Sequence, residues 1–147
     1  MVCIDGETVK DILEGRVRLV APKGMGFYQG VLYVADIDRL VGIDLTRKGQ
    51  VWQVSFAEKG VGFLNDVAIS DAGMLYVSAT DAGKMFTVDL TADQFAIASL
   101  PLPTLPGPNG LYFDAAKRRL IAASFGTDTQ LGVVDLHTEN KRQGEHL

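Results

Sequence analysis

The chain has 147 residues, 47% hydrophobic and 22% charged, and a formal net charge of −4; this is the composition of one globular domain with a real core rather than of a disordered chain. Its longest basic run is Lys117-Arg118-Arg119, too short to track a phosphate backbone, so nucleic acid is not an expected partner. No apolar stretch approaches the ~20 residues of a membrane helix, Met1-Val2-Cys3-Ile4-Asp5 lacks the layout of a signal peptide, and the single Cys3 allows neither an internal disulfide nor a CxxC site; a soluble chain with no membrane partner is expected, its compartment unassigned.

In chain order, short strands alternate with Gly, Asp and Asn. Val2-Cys3-Ile4-Asp5 predicts a strand, and Glu7 to Glu14, helix-compatible in isolation, is read as the outer strand expected there by the repeat register. Lys23-Gly24-Met25-Gly26-Phe27, Leu32-Tyr33-Val34 and Val41-Gly42-Ile43 predict three more. Gln50 to Phe56 mixes Gln50, Gln53 and Ser55 with apolar partners, which suits a half-exposed edge strand. The series then restarts with Asn65-Asp66-Val67-Ala68-Ile69, Leu75-Tyr76-Val77, Val88-Asp89-Leu90 and Thr91 to Ala98, the last also read as strand. It is broken at Asp71-Ala72-Gly73 and Asp81-Ala82-Gly83. A third series runs through Asn109-Gly110-Leu111-Tyr112-Phe113, Leu120-Ile121-Ala122 and Val134-Asp135-Leu136 into a polar tail from His137 to Leu147.

The same words return at a fixed interval. Leu32, Leu75 and Leu120 stand 43 and 45 residues apart, and Asp44, Asp89 and Asp135 stand 45 and 46 apart. About four strands per ~40–50 residues describe a propeller blade, whereas a β-sandwich gives no reason for the words to recur. The small apolar Val67-Ala68-Ile69 fits an innermost strand covered on both faces. The expected fold is therefore all-β, a β-propeller of four-stranded antiparallel blades with about three blades in the chain. The expected segments are a partial blade 1–20, blades 21–61 and 62–106, and a partial blade 107–147. Three blades are fewer than the ~4–8 that close a ring. Exposed blade flanks favour association, so the expected partner is a second copy, as a homodimer completing the ring, or the remainder of a longer chain.

Three phrases carry a resemblance: APKGMGFYQGVLYVADID (Ala21 to Asp38), FLNDVAISDAGMLYVSATDAGKMFTVDL (Phe63 to Leu90) and GPNGLYFDAAKRRLIAASFG (Gly107 to Gly126). They resemble the gluconolactonase/regucalcin-like superfamily of six-bladed propellers, whose neighbours include the NHL-repeat proteins; the LND and PNGL phrases are the most specific. The resemblance implies about half of a six-bladed propeller. It also implies one divalent cation, calcium, magnesium or zinc, at the channel mouth, with Asn65 and Asn109 matching two amide ligands. Amide oxygen is a hard ligand suited to calcium or magnesium. The family completes its site with a Glu from the first blade and an Asp from a later one, and neither has a counterpart in this sequence.

Asp36, Asp38, Asp66, Asp81 and Asp128 fall in or beside the loops expected on the face that carries Asn65 and Asn109. They are candidates to bind a cation or a hydroxyl-rich small molecule; the architectural alternative for each is an ordinary turn-forming residue. Strand alternation puts Asn65 and Asp66 on opposite faces. No catalytic residue is assigned: His137 and His146 lie at the end of the repeat pattern and in the tail, remote from any recurring Ser, and no phosphate-binding glycine loop is present. Trp52 and Phe56 are read as blade-to-blade packing. The expected function is a ligand-binding or scaffold protein, with a divalent-cation-dependent hydrolase of a sugar lactone or related small ester as the alternative.

Overall fold

The alternation written in the sequence becomes, in the computed structural model, thirteen strands in four antiparallel sheets among the described residues, which are 2–5, 8–11, 13–101, 105–127 and 129–136. Asp128, His137 and His146 lie outside them. A hairpin pairs β1 (Val2–Asp5) with β2 (Thr8–Asp11). The first blade runs β3 (Pro22–Tyr28), β4 (Val31–Asp36), β5 (Arg39–Asp44) and β6 (Gly49–Ser55) in sequential order. A 3-10 turn, Ala57–Lys59, then leads to the second blade: β7 (Leu64–Ile69), β8 (Met74–Ala79), β9 (Lys84–Asp89) and β10 (Ile97–Leu100). The third blade contributes β11 (Pro108–Asp114), β12 (Arg119–Ser124) and β13 (Leu131–Asp135). No helix among the described residues is long and apolar enough to cross a membrane.

The two helix-compatible stretches differ in outcome from their expected extents. Among the described residues of Glu7 to Glu14, Thr8–Asp11 is strand, and residues 13–15 form a turn. Thr91 to Ala98 begins as a turn, because the Asp89 carboxylate accepts hydrogen bonds from both the N–H and the hydroxyl of Thr91, at 2.9 and 2.7 Å. That ring closes the end of β9 as an Asx turn, so β10 starts only at Ile97. Asp44 does the same at the end of β5, accepting the Thr46 and Arg47 N–H groups at 2.8 and 3.0 Å. Both Asp-Ala-Gly breaks end on a glycine at positive φ, Gly73 at 85° and Gly83 at 60°.

Burial follows from the stacking of blades. In β8 every residue from Leu75 to Ala79 is buried, since the second blade is covered on both faces. Leu75 and Val77 join Tyr33, Ala35, Leu40, Phe56, Val67 and Phe86 in the core between the first and second blades. Tyr76 and Met85, on the opposite face, join Leu120, Ala122 and Leu105 in the core between the second and third. Each such buried Leu, Val or Phe contributes about 1.5–3 kcal/mol. Trp52 meets Tyr33 and Phe95 edge-on at 5.5 and 4.9 Å, and Phe56 meets Phe86 at 5.4 Å, so both aromatics are packing residues. A third cluster, Leu13, Val34, Val41 and Ile43, joins the far face of the first blade to the segment leading into it.

The inner strands set the geometry of the whole. β3 packs on β7 and β7 on β11, so the blades fan out in sequence from neighbouring inner strands. Gly24 and Gly26 permit this closeness: a Cβ on Gly24 would stand 2.5 Å from Asp66 Cα, and one on Gly26 would stand 2.8 Å from Ile69 Cδ1.

Candidate functional site

Each inner strand begins with the same irregularity. The register slips by one residue between Pro22 and Met25, between Leu64 and Val67, and between Pro108 and Leu111. Two residues thereby oppose one on the neighbouring strand: Lys23-Gly24 oppose Ala35, Asn65-Asp66 oppose Ser78, and Asn109-Gly110 oppose Ala123. Bulges of this kind re-aim side chains and are over-represented beside active sites. Lys23, Asn65 and Asn109 thus occupy equivalent positions on three successive inner strands, forming one rim.

Hydrogen bonds across the blades hold this rim. At the first junction Leu64 N–H donates to the Ile37 carbonyl at 2.6 Å. At the second junction the residue in Leu64's place is Pro108, which has no N–H. There Thr80, in Ile37's place, donates its hydroxyl to the Pro108 carbonyl at 2.7 Å. Beside it the Ser78 hydroxyl donates to the Asn109 carbonyl at 2.6 Å and accepts the Asp66 N–H at 3.0 Å. Asp66 completes the strap: Oδ2 accepts Leu111 N–H and Oδ1 accepts Val67 N–H, both at 2.8 Å. Sequence reasoning missed this strap, though an aspartate standing where the other two repeats carry Gly24 and Gly110 was a usable signal.

The carboxylates of Asp36 and Asp81 are similarly engaged, whereas Asp38 is bonded through its main-chain carbonyl alone. Asp36 ends β4 fully buried; Oδ1 accepts Val20 and Ala21 N–H at 2.8 and 2.7 Å, and Oδ2 receives Arg39 Nε and Nη2 at 3.1 and 2.8 Å. Burial alone would raise its pKa, but the Arg39 hydrogen bond, the two N–H donors and the Arg39 charge together outweigh it and hold the carboxyl below its usual value. Asp81, exposed in the turn after β8, accepts Gly62 and Ala82 N–H, each at 2.9 Å. The Asp38 carbonyl accepts Phe56 N–H at 2.7 Å.

The amides behave differently. Asn65 and Asn109 are half-buried, and among the described residues neither side chain has a hydrogen-bond partner. Lys23 Nζ stands 4.6 Å from the centroid of the Phe63 ring, a cation–π contact that holds a positive charge on the same rim. Among the described residues no three His, Cys, Asp or Glu side chains come together as a metal cluster. The strap therefore fixes the backbone, and the rim offers two amides and one ammonium to whatever binds there.

Radially ordered antiparallel sheets with bulged inner strands define a β-propeller. Among solved structures, Kuenenia stuttgartiensis hydrazine synthase is similar over 80% of this chain, at 18% identity and a TM-score of 0.67. A streptogramin B lyase structure is similar over 79%, at 14% identity and a TM-score of 0.55. This chain spans 34% and 41% of the lengths of those two chains. Both are propeller-type proteins, and at such identities the likeness shows the fold alone. No family profile and no curated protein matches the chain.

Proposed function

We propose that this chain is a rigid propeller scaffold whose inner-strand rim binds a small, hydroxyl-rich and anionic ligand. The carrying observation is the division of labour on the rim: Asp36, Asp66 and Asp81 accept backbone N–H groups with both oxygens or with one oxygen and an arginine, whereas the Asn65 and Asn109 amides carry no such bonds. Lys23, at the equivalent third position, adds a positive charge that attracts an anion and repels a divalent cation.

A second reading is favoured by the asparagine pair and by the resemblance to gluconolactonase-like propellers. Under it Asn65 and Asn109 are two ligands of a divalent cation, and carboxylates from other blades complete a site that hydrolyses a lactone or small ester. The metal would polarise the carbonyl and activate water.

Calorimetric titration of the chain with D-gluconate, calcium, magnesium and zinc separates the two. The scaffold reading expects gluconate binding that weakens about tenfold in both Asn109→Ala and Lys23→Gln, the loss of one good hydrogen bond or charge contact. Saturable metal binding, with chelator-sensitive lactone turnover abolished by Asn109→Ala, contradicts it in favour of the hydrolase.

A further inference from the structure

Three residues of the second blade have no polar or aromatic counterpart in its neighbours. Phe63 stands where the register of the other two inner strands places Ala21 and Gly107, Asp66 where it places Gly24 and Gly110, and Ser78 where the second strands carry Ala35 and Ala123. The inner strand of this blade, β7, lies against both β3 and β11. A side chain at its bulge can therefore reach the rim residues of either neighbour.

Each of the three does so. On the first-blade side the Phe63 ring carries the Lys23 ammonium, 4.6 Å from its centroid. Lys23 is exposed and makes no ion pair among the described residues, so the ring is what restrains its long side chain, and a side chain restrained in advance loses less entropy when a ligand binds. On the third-blade side the Ser78 hydroxyl donates to the Asn109 carbonyl at 2.6 Å, and Asp66 accepts the Leu111 N–H at 2.8 Å. These two bonds grip the chain before and after Gly110, fixing the bulge from which the Asn109 amide projects. Ser78 is fully buried, its hydrogen donated to Asn109 and its oxygen occupied by the Asp66 N–H.

We propose that the second blade positions the binding groups of its neighbours: Phe63 is the positioning residue for Lys23, and Ser78, with Asp66, is the positioning residue for Asn109. This assignment rests on the rim being the ligand site.

Calorimetric titration with D-gluconate across paired variants separates positioning from general support of the fold. In Ser78→Ala the cost of adding Asn109→Ala is expected to fall from about tenfold to about threefold, while the cost of adding Lys23→Gln stays about tenfold. In Phe63→Leu the pattern is expected to reverse. Alanine already fills the position of Ser78 in the other two blades and Phe63 is only half-buried, so both variants are expected to fold. Ser70→Ala is the matched control: it removes a buried hydroxyl from the far end of β7, where it accepts Met74 N–H at 3.0 Å, and is expected to leave every one of these costs unchanged. Costs that are the same in every background, or that shrink together in one, would overturn the proposal, because a role in stability alone does not choose between Lys23 and Asn109.

An unsubstituted chain that binds no gluconate sinks the rim reading, and the positioning is then decided by NMR order parameters of the ligand-free chain. Ser78→Ala is expected to loosen the Asn109 side-chain amide and leave the Lys23 ammonium as it is, and Phe63→Leu to do the opposite. Both groups unchanged in both variants would overturn the positioning by itself.

Discussion

Asp36 shows how a single side chain ties distant segments together. Its carboxylate is fully buried, yet it holds Val20 and Ala21 on one oxygen and Arg39 on the other, closing the approach to β3 against the end of β4. Its folded pKa lies below the ordinary carboxylate value despite burial, because those donors stabilise the charged form. A depressed folded pKa contributes stability that is fully present above the unfolded value of about 3.9 and is lost as pH falls from there through the folded value. Urea denaturation from pH 7 down to pH 3 is therefore expected to show this loss in the native chain. Asp36→Asn is expected to cost about 3 kcal/mol at pH 7, where removing one partner strands a partly buried Arg39, and to flatten the acid limb. An unchanged acid limb in the variant would contradict this role. The sequence showed only a turn-forming aspartate, since the backbone donors come from 15 and 16 residues earlier in the chain and only Arg39 is a near neighbour.

At the scale of elements, the recurring strands were legible because period-two alternation and the 43 to 46 residue spacing are both local properties of the text. The bulges and the staples between blades were not, because they depend on which strand lies beside which. Pro108 illustrates the point: alone it reads as a turn residue before Asn109-Gly110, but beside the second blade it lacks the N–H that Leu64 donates at the first junction, and the Thr80 hydroxyl holds the second junction by donating in the reverse sense, to the Pro108 carbonyl. Thr80→Val is expected to destabilise the second junction by about 1 kcal/mol, the net value of a typical hydrogen bond. Adding Pro108→Leu restores an N–H in the position from which Leu64 donates to Ile37, and is expected to recover most of that loss. Chemical denaturation of the two single variants and the double variant forms a mutant cycle; additive losses, with no recovery in the double variant, would contradict the equivalence of the two junctions.

For the whole molecule, the order of the blades follows from the inner strands. Gly24 and Gly26 let β3 lie against β7, Asp66 straps β7 to β11, and Tyr76 stacks on Phe113 at 6.2 Å across the second junction. Each blade is bound chiefly to its neighbours, the quasi-one-dimensional arrangement in which a repeat protein's stability is the sum of blade and junction terms. The candidate site is a consequence of that order, since Lys23, Asn65 and Asn109 belong to one rim only when the three inner strands are consecutive around an axis. Nuclear Overhauser contacts on a labelled sample test this most directly. Cross-peaks joining Gly26 to Ile69 and Tyr76 to Phe113 are expected, whereas contacts joining the face of the first sheet directly to that of the third, without the second between them, would contradict a propeller.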